Sequence, residues 1–117
     1  MNGYGSDVTR TWTSEAAHPV FKALCDGMID LEQQLAASIK PGIPYPDLHA
    51  AAHKGVAELL ITTGVSSASS ANELLENGVA QRFMPHGVGH LLGIQVHDSA
   101  GHQSDVRGTI APRPRGG

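Results

Sequence analysis

What is scarce in this chain narrows its options first. Among 117 residues there is one cysteine, Cys25, so neither an internal disulfide nor a cysteine-based zinc site can form. With Leu24 and Met28 as neighbours it reads as an ordinary buried thiol. Aromatic residues make up only 4%, which leaves core filling to Leu, Val, Ile, Met and many alanines. The apolar share, 40%, is slightly low for a globular domain. No basic block exists: the net charge is -3, and Arg107, Arg113 and Arg115 lie in a Pro/Gly-rich tail. Nucleic acid and anionic membrane are therefore excluded as main partners. Long apolar runs and a basic-then-apolar leader are also missing, so a soluble, cytoplasmic protein is expected. A Gly-x-Ser-x-Gly elbow is absent too. The length supports one small domain with a modest core, set here at residues 1–100, with 101–117 a coil tail.

What is present concentrates between Phe83 and Asp98. His86, His90 and His97 are interleaved with Gly87, Gly89 and Gly93 and closed by Asp98. Neutral imidazole is the commonest metal ligand and a proton shuttle near neutral pH. His-Gly-Val-Gly-His is too rich in glycine for a stable helix, so its histidines are displayed from a loop. Ile94 to His97 alternates apolar and polar, the pattern of a short strand that aims Gln95 and His97 to one side. The stretch reads as a metal or catalytic site. The plainer alternative is a loop whose histidines only hydrogen-bond locally.

Residues 2–13 are rich in β-branched and aromatic types. Asp7, Thr9 and Thr11 alternate with Val8, Arg10 and Trp12, which predicts a strand entered through a Gly-rich turn. A carboxylate inside a strand calls for a metal, an arginine or backbone donors. Helix one is expected from His18-Pro19 to about Lys40, with Phe21, Leu24, Met28, Leu31, Leu35 and Ile39 as its core stripe. Pro44-Tyr45-Pro46 reads as an extended connector. Asp47 then caps helix two, which runs to about Thr63 and stops at Gly64. Leu48, Ala52, Gly55, Val56 and Leu59 form its inner face. His49 and His53, one turn apart, could bind metal but lack an evident third ligand, so they read as solvated or half-buried residues flanking the core. A short third helix is expected at about Ala71 to Glu76, ending at Asn77-Gly78.

Two stretches resemble one family. Tyr4-Gly5-Ser6-Asp7-Val8-Thr9-Arg10-Thr11 and the run from Phe83 to Asp98 are similar to the prolidases (Xaa-Pro dipeptidases). These belong to the pita-bread metallopeptidases, along with aminopeptidase P and methionine aminopeptidase. The resemblance covers nearly the whole chain. It implies an α/β (α+β) fold: a partial pita-bread domain with two long helices packed on a small, mostly antiparallel sheet. It also implies a dinuclear divalent metal site (manganese, cobalt or zinc) whose bridging hydroxide attacks the bond before proline in a dipeptide. By position, Asp7 and His90 resemble metal ligands. His86 and His97 resemble the outer histidines that contact substrate or stabilise the tetrahedral intermediate, and Thr9 and Gln95 would orient the ligands.

The family site has five protein ligands, of which this sequence keeps Asp7 and His90. The expectation is a truncated middle portion of the catalytic domain, with weak or altered hydrolysis of a peptide, ester or phosphoester. Exposed sheet edges left by the truncation predict a homo-oligomer or an aggregation-prone monomer. Two alternatives stand beside this reading. One is a remnant without catalysis that binds a cation or a partner chain. The other is metal-independent hydrolysis by serine and histidine, with Ser6 as the serine inside a family motif.

Overall fold

A histidine and a proline start the first helix. In the computed structural model, which describes residues 3–98, 107 and 109, α1 spans Pro19–Ser38. The His18 Nδ1 accepts a hydrogen bond from the Val20 amide at 3.1 Å, satisfying an otherwise orphaned donor. Proline at the first helical position costs nothing, because its missing N–H had no intrahelical partner. The second helix, α2, spans Tyr45–Thr62. It ends where the sequence places Gly64, whose φ of 76° is left-handed. The third, α3, covers Ala71–Glu76. Ser70 Oγ caps it by accepting from Glu73 N, and the Glu73 carboxylate accepts from Ser69 N and Oγ, a local variant of the capping box. A fourth helix, α4, at Val79–Phe83, follows directly, because left-handed Gly78 (φ 70°) turns the chain between the two.

Helices α1 and α2 meet through reciprocal small-to-large contacts. Leu59 sits where a side chain at Gly27 would be, and Leu31 sits where one at Gly55 would be. The missing side chains let two leucines interlock at close range. The core lies on the other side of α2, where Ala52, Val56, Ala57 and Leu60 bury against Leu74, Ala80 and Met84. Helix α1 contributes no fully buried residue. Of its expected stripe, Leu24, Leu31 and Leu35 pack against the core while Phe21, Met28 and Ile39 remain exposed.

Several expectations need correction. The α/β reading fails, and with it the pita-bread sheet, since the described residues contain helices and no strand. Alternation at Asp7–Trp12 and at Ile94–His97 is a local pattern, and a strand exists only when its amides and carbonyls pair with a neighbour. Residues 4–13 run without regular structure and mostly exposed. Residues 91–98 fold into a compact bend, closed by Gly93 N donating to Gln95 O and Asp98 N to Leu91 O, both at 3.1 Å. Without a sheet, pairing through sheet edges has no basis in the described residues. Pro44-Tyr45-Pro46 is not a connector throughout, because Tyr45 and Pro46 already form the first turn of α2. Asp47 lies inside that turn, favourable for the helix dipole, and does not cap it. The tail expected as coil falls, except for Arg107 and Thr109, outside the described residues. No helix of the described residues is long and apolar enough to cross a membrane.

Candidate metal centre

The histidine loop has no regular structure of its own after α4, so its position comes from what it is tied to. Three side chains on one face of α2 reach it. The Tyr45 hydroxyl donates to the Gly89 carbonyl at 3.0 Å. The Val88 amide donates to His49 Nδ1 at 3.3 Å. His53 Nε2 donates to the Met84 carbonyl at 2.9 Å, since a carbonyl can only accept. His49 and His53 are 3% and 4% exposed, so they are not the solvated or half-buried residues expected from their spacing. An i, i+4 pair marks one helix face without saying what covers it, and here the loop covers it.

At the end of this loop His90 meets the amino-terminal segment. Gly5 packs so closely on Val96 that an added Cβ would come within 2.6 Å of the Val96 Cγ2, and this contact brings Asp7 alongside. Asp7 Oδ2 lies 3.9 Å from His90 Nε2 and 3.8 Å from His97 Nε2. One ligand atom from each of the three residues falls within 4.8 Å of the others. His90 Nδ1 donates to the Leu91 carbonyl at 3.0 Å, which puts the lone pair on Nε2, the atom facing Asp7.

The donor chemistry fits a divalent cation. Ligand bonds of about 2.1 Å let one ion join two donors up to about 4.2 Å apart, and each Asp7–histidine pair lies inside that span. The two rings cannot serve one ion together, however. His90 and His97 are stacked, with centroids 4.0 Å apart and planes at 11°. A ligand imidazole holds its ion in the ring plane, so an ion in the plane of one ring sits well out of the plane of the other. Of the two, His90 is the more enclosed, with its side chain 33% exposed against 73% for His97, and its tautomer is fixed.

The remaining sequence candidates are placed differently. His86 Nδ1 bonds to the neighbouring Gly87 carbonyl at 2.9 Å, and His86 is not part of the Asp7–His90–His97 group. Thr9 and Gln95 are exposed. The Thr9 carbonyl accepts from Arg10 at 2.7 Å and the Gln95 carbonyl from Gly93, but neither side chain hydrogen-bonds Asp7, His90 or His97. Nor does any hydrogen bond of the described residues join Ser6 to a histidine. Sequence reasoning noted the spacing of His49 and His53 but not their hold on the loop. It left Tyr45 in a connector, although i, i+4, i+8 would have put all three on one helix face.

Comparison with known proteins adds an independent line. Residues 1–114 match the profile of metallopeptidase family M24. The chain is 44% identical over 118 residues to a Xaa-Pro dipeptidase of Pseudoalteromonas atlantica, covering 97% of this chain and 26% of that one. It is 42% identical over 114 residues to the Xaa-Pro dipeptidase of Shewanella amazonensis, covering 97% and 25%. With the Xaa-Pro dipeptidase of Marinobacter nauticus the identity is 46% over 99 residues, covering 85% and 23%. The chain thus spans about a quarter of the length of the curated relatives it matches.

Proposed function

Since the chain belongs to metallopeptidase family M24, we propose that it is a metal-dependent hydrolase acting on the bond before proline in a dipeptide. The observation that carries this reading is the convergence of Asp7, His90 and His97. Asp7 Oδ2 and His90 Nε2 would hold the cation, and manganese, cobalt and zinc all accept this carboxylate–imidazole pair. When bound, a divalent cation supplies Lewis acidity and lowers the pKa of water toward neutrality.

The chain's own groups do the rest. His97 lies exposed beside Asp7 and can donate from a ring N–H to the carbonyl oxygen as it gains charge. His86, exposed one helical turn's length of sequence before His90, would contact the dipeptide from the loop. Water adds to the carbonyl carbon, the bond to the proline nitrogen breaks, and that nitrogen leaves as the amine after taking a proton. With Asp7 and His90 as the donors among the described residues, activated esters would be cleaved more readily than amides, since they need less stabilisation in the transition state.

The test is turnover of an Xaa-Pro dipeptide and of an activated ester. Both should stop with chelator, return with manganese or zinc, and be lost in Asp7→Asn. Turnover that persists in chelator or in Asp7→Asn refutes the reading. A second reading, a cation- or partner-binding unit without catalysis, is supported by the exposed apolar side chains Val8, Trp12, Leu92 and Ile94. Metal binding with no turnover of either substrate would favour it.

A further inference from the structure

Burying an imidazole costs free energy unless its polar atoms are paired. Simple core filling at positions 49 and 53 would be better served by leucine. Both histidines instead spend a ring nitrogen on the backbone of one loop, and Tyr45 adds a third bond from the same helix face. The order is antiparallel. Going back along α2 from His53 to His49 to Tyr45, the loop is held at Met84, then Val88, then Gly89. Four helical residues advance about 6 Å, so the three bonds fix the loop at intervals over about 12 Å. The rings also brace one another: His53 meets His49 edge-on at 4.4 Å, and His49 stacks on Tyr45 at 6.1 Å. Gly87 and Gly89 leave the loop few local preferences of its own.

We propose that Tyr45, His49 and His53 are positioning residues, a column on α2 that sets the path of residues 84–89 and so the point from which His90 emerges. As a statement about metal affinity it rests on the reading of His90 as a cation ligand. As a statement about the loop it does not.

The experiment uses the full chain, zinc as the probe, and amide hydrogen exchange as a readout independent of metal. His49→Phe keeps the ring and its stacking but deletes the acceptor. His49→Asn restores an acceptor oxygen close to the position of Nδ1. Tyr45→Phe removes one hydroxyl at the surface and leaves the core untouched. The Val88 amide should exchange slowly in the native chain, faster by at least about tenfold in His49→Phe, and slowly again in His49→Asn. Zinc affinity should fall about tenfold in His49→Phe, as it does when groups that orient a ligand are lost. It should recover in His49→Asn and fall measurably in Tyr45→Phe, with helix content unchanged. Lowered thermal stability with unchanged exchange and unchanged zinc affinity would show a purely structural role and overturn the proposal. If the native chain binds no zinc, or His90→Ala binds it equally well, the functional reading fails instead. Exchange at Val88 then decides the positioning role alone: recovery in His49→Asn sustains it, and no change across the variants overturns it.

Discussion

His90 and His97 stand equally near Asp7, yet their removal should have unequal consequences for cation binding. The ring stack is the reason: at 4.0 Å and 11°, only one imidazole can place an ion in its own plane. A four-ligand structural zinc site releases about 10–16 kcal/mol, or about 3 kcal/mol per ligand. Asp7 and His90 are partly open to water, so about 2 kcal/mol each is the better figure, equivalent to about thirtyfold in affinity. His90→Ala should therefore weaken zinc or manganese binding by about thirtyfold. His97→Ala should leave it within about threefold, while lowering kcat for any hydrolysis the chain performs. Isothermal titration calorimetry on the two variants reads the difference directly. Equal losses in both would mean that the stack opens to let both rings ligate, and would refute the assignment of His97 as an outer residue.

Two further predictions concern the packing that carries the site. Gly55→Ala should cost about 0–2 kcal/mol, because overpacking against Leu31 costs about 1–3 while helix propensity returns about 1. In the Leu31→Ala background the same substitution should stabilise by about 1 kcal/mol, and an equal effect in both backgrounds, measured by urea denaturation, would show that the interlock is not tight. Leu60, 2% exposed between α2 and the short helices, should cost about 2–5 kcal/mol when replaced by alanine. A loss below about 1 kcal/mol would place the core elsewhere.

The helices were largely legible because their ends carry chemistry that acts locally. Pro19 and Gly64 bound α1 and α2 much as their residue types require, and Asn77-Gly78 ends α3 where expected. Helix α4 was not legible, being one turn set up by the left-handed Gly78. The strands were misread for a different reason. Alternation around Asp7 and Gln95 describes a chain suited to pairing, and pairing is a property of two segments that neither one encodes. On α2 the expected face holds at Ala52 and Val56, which are buried, and at Gly55 and Leu59, which pack on α1. The buried His49, His53, Ala57 and Leu60 lay outside it, because an apolar stripe alone does not mark the positions that the loop and the short helices cover. At the candidate centre, motif likeness singled out Asp7, His90 and His97. A spacing of seven residues, however, gives no hint that the two rings lie parallel.

Trp12 is the one tryptophan of the chain, and it is 82% exposed in the folded state. Its indole is already surrounded by water, so its emission will change little on denaturation, and fluorescence melts would look flat while the helices come apart. Circular dichroism is the signal to follow for stability. The same property makes the indole a sensitive reporter of contact: any molecule that covers it will shift its emission to the blue, with no added label.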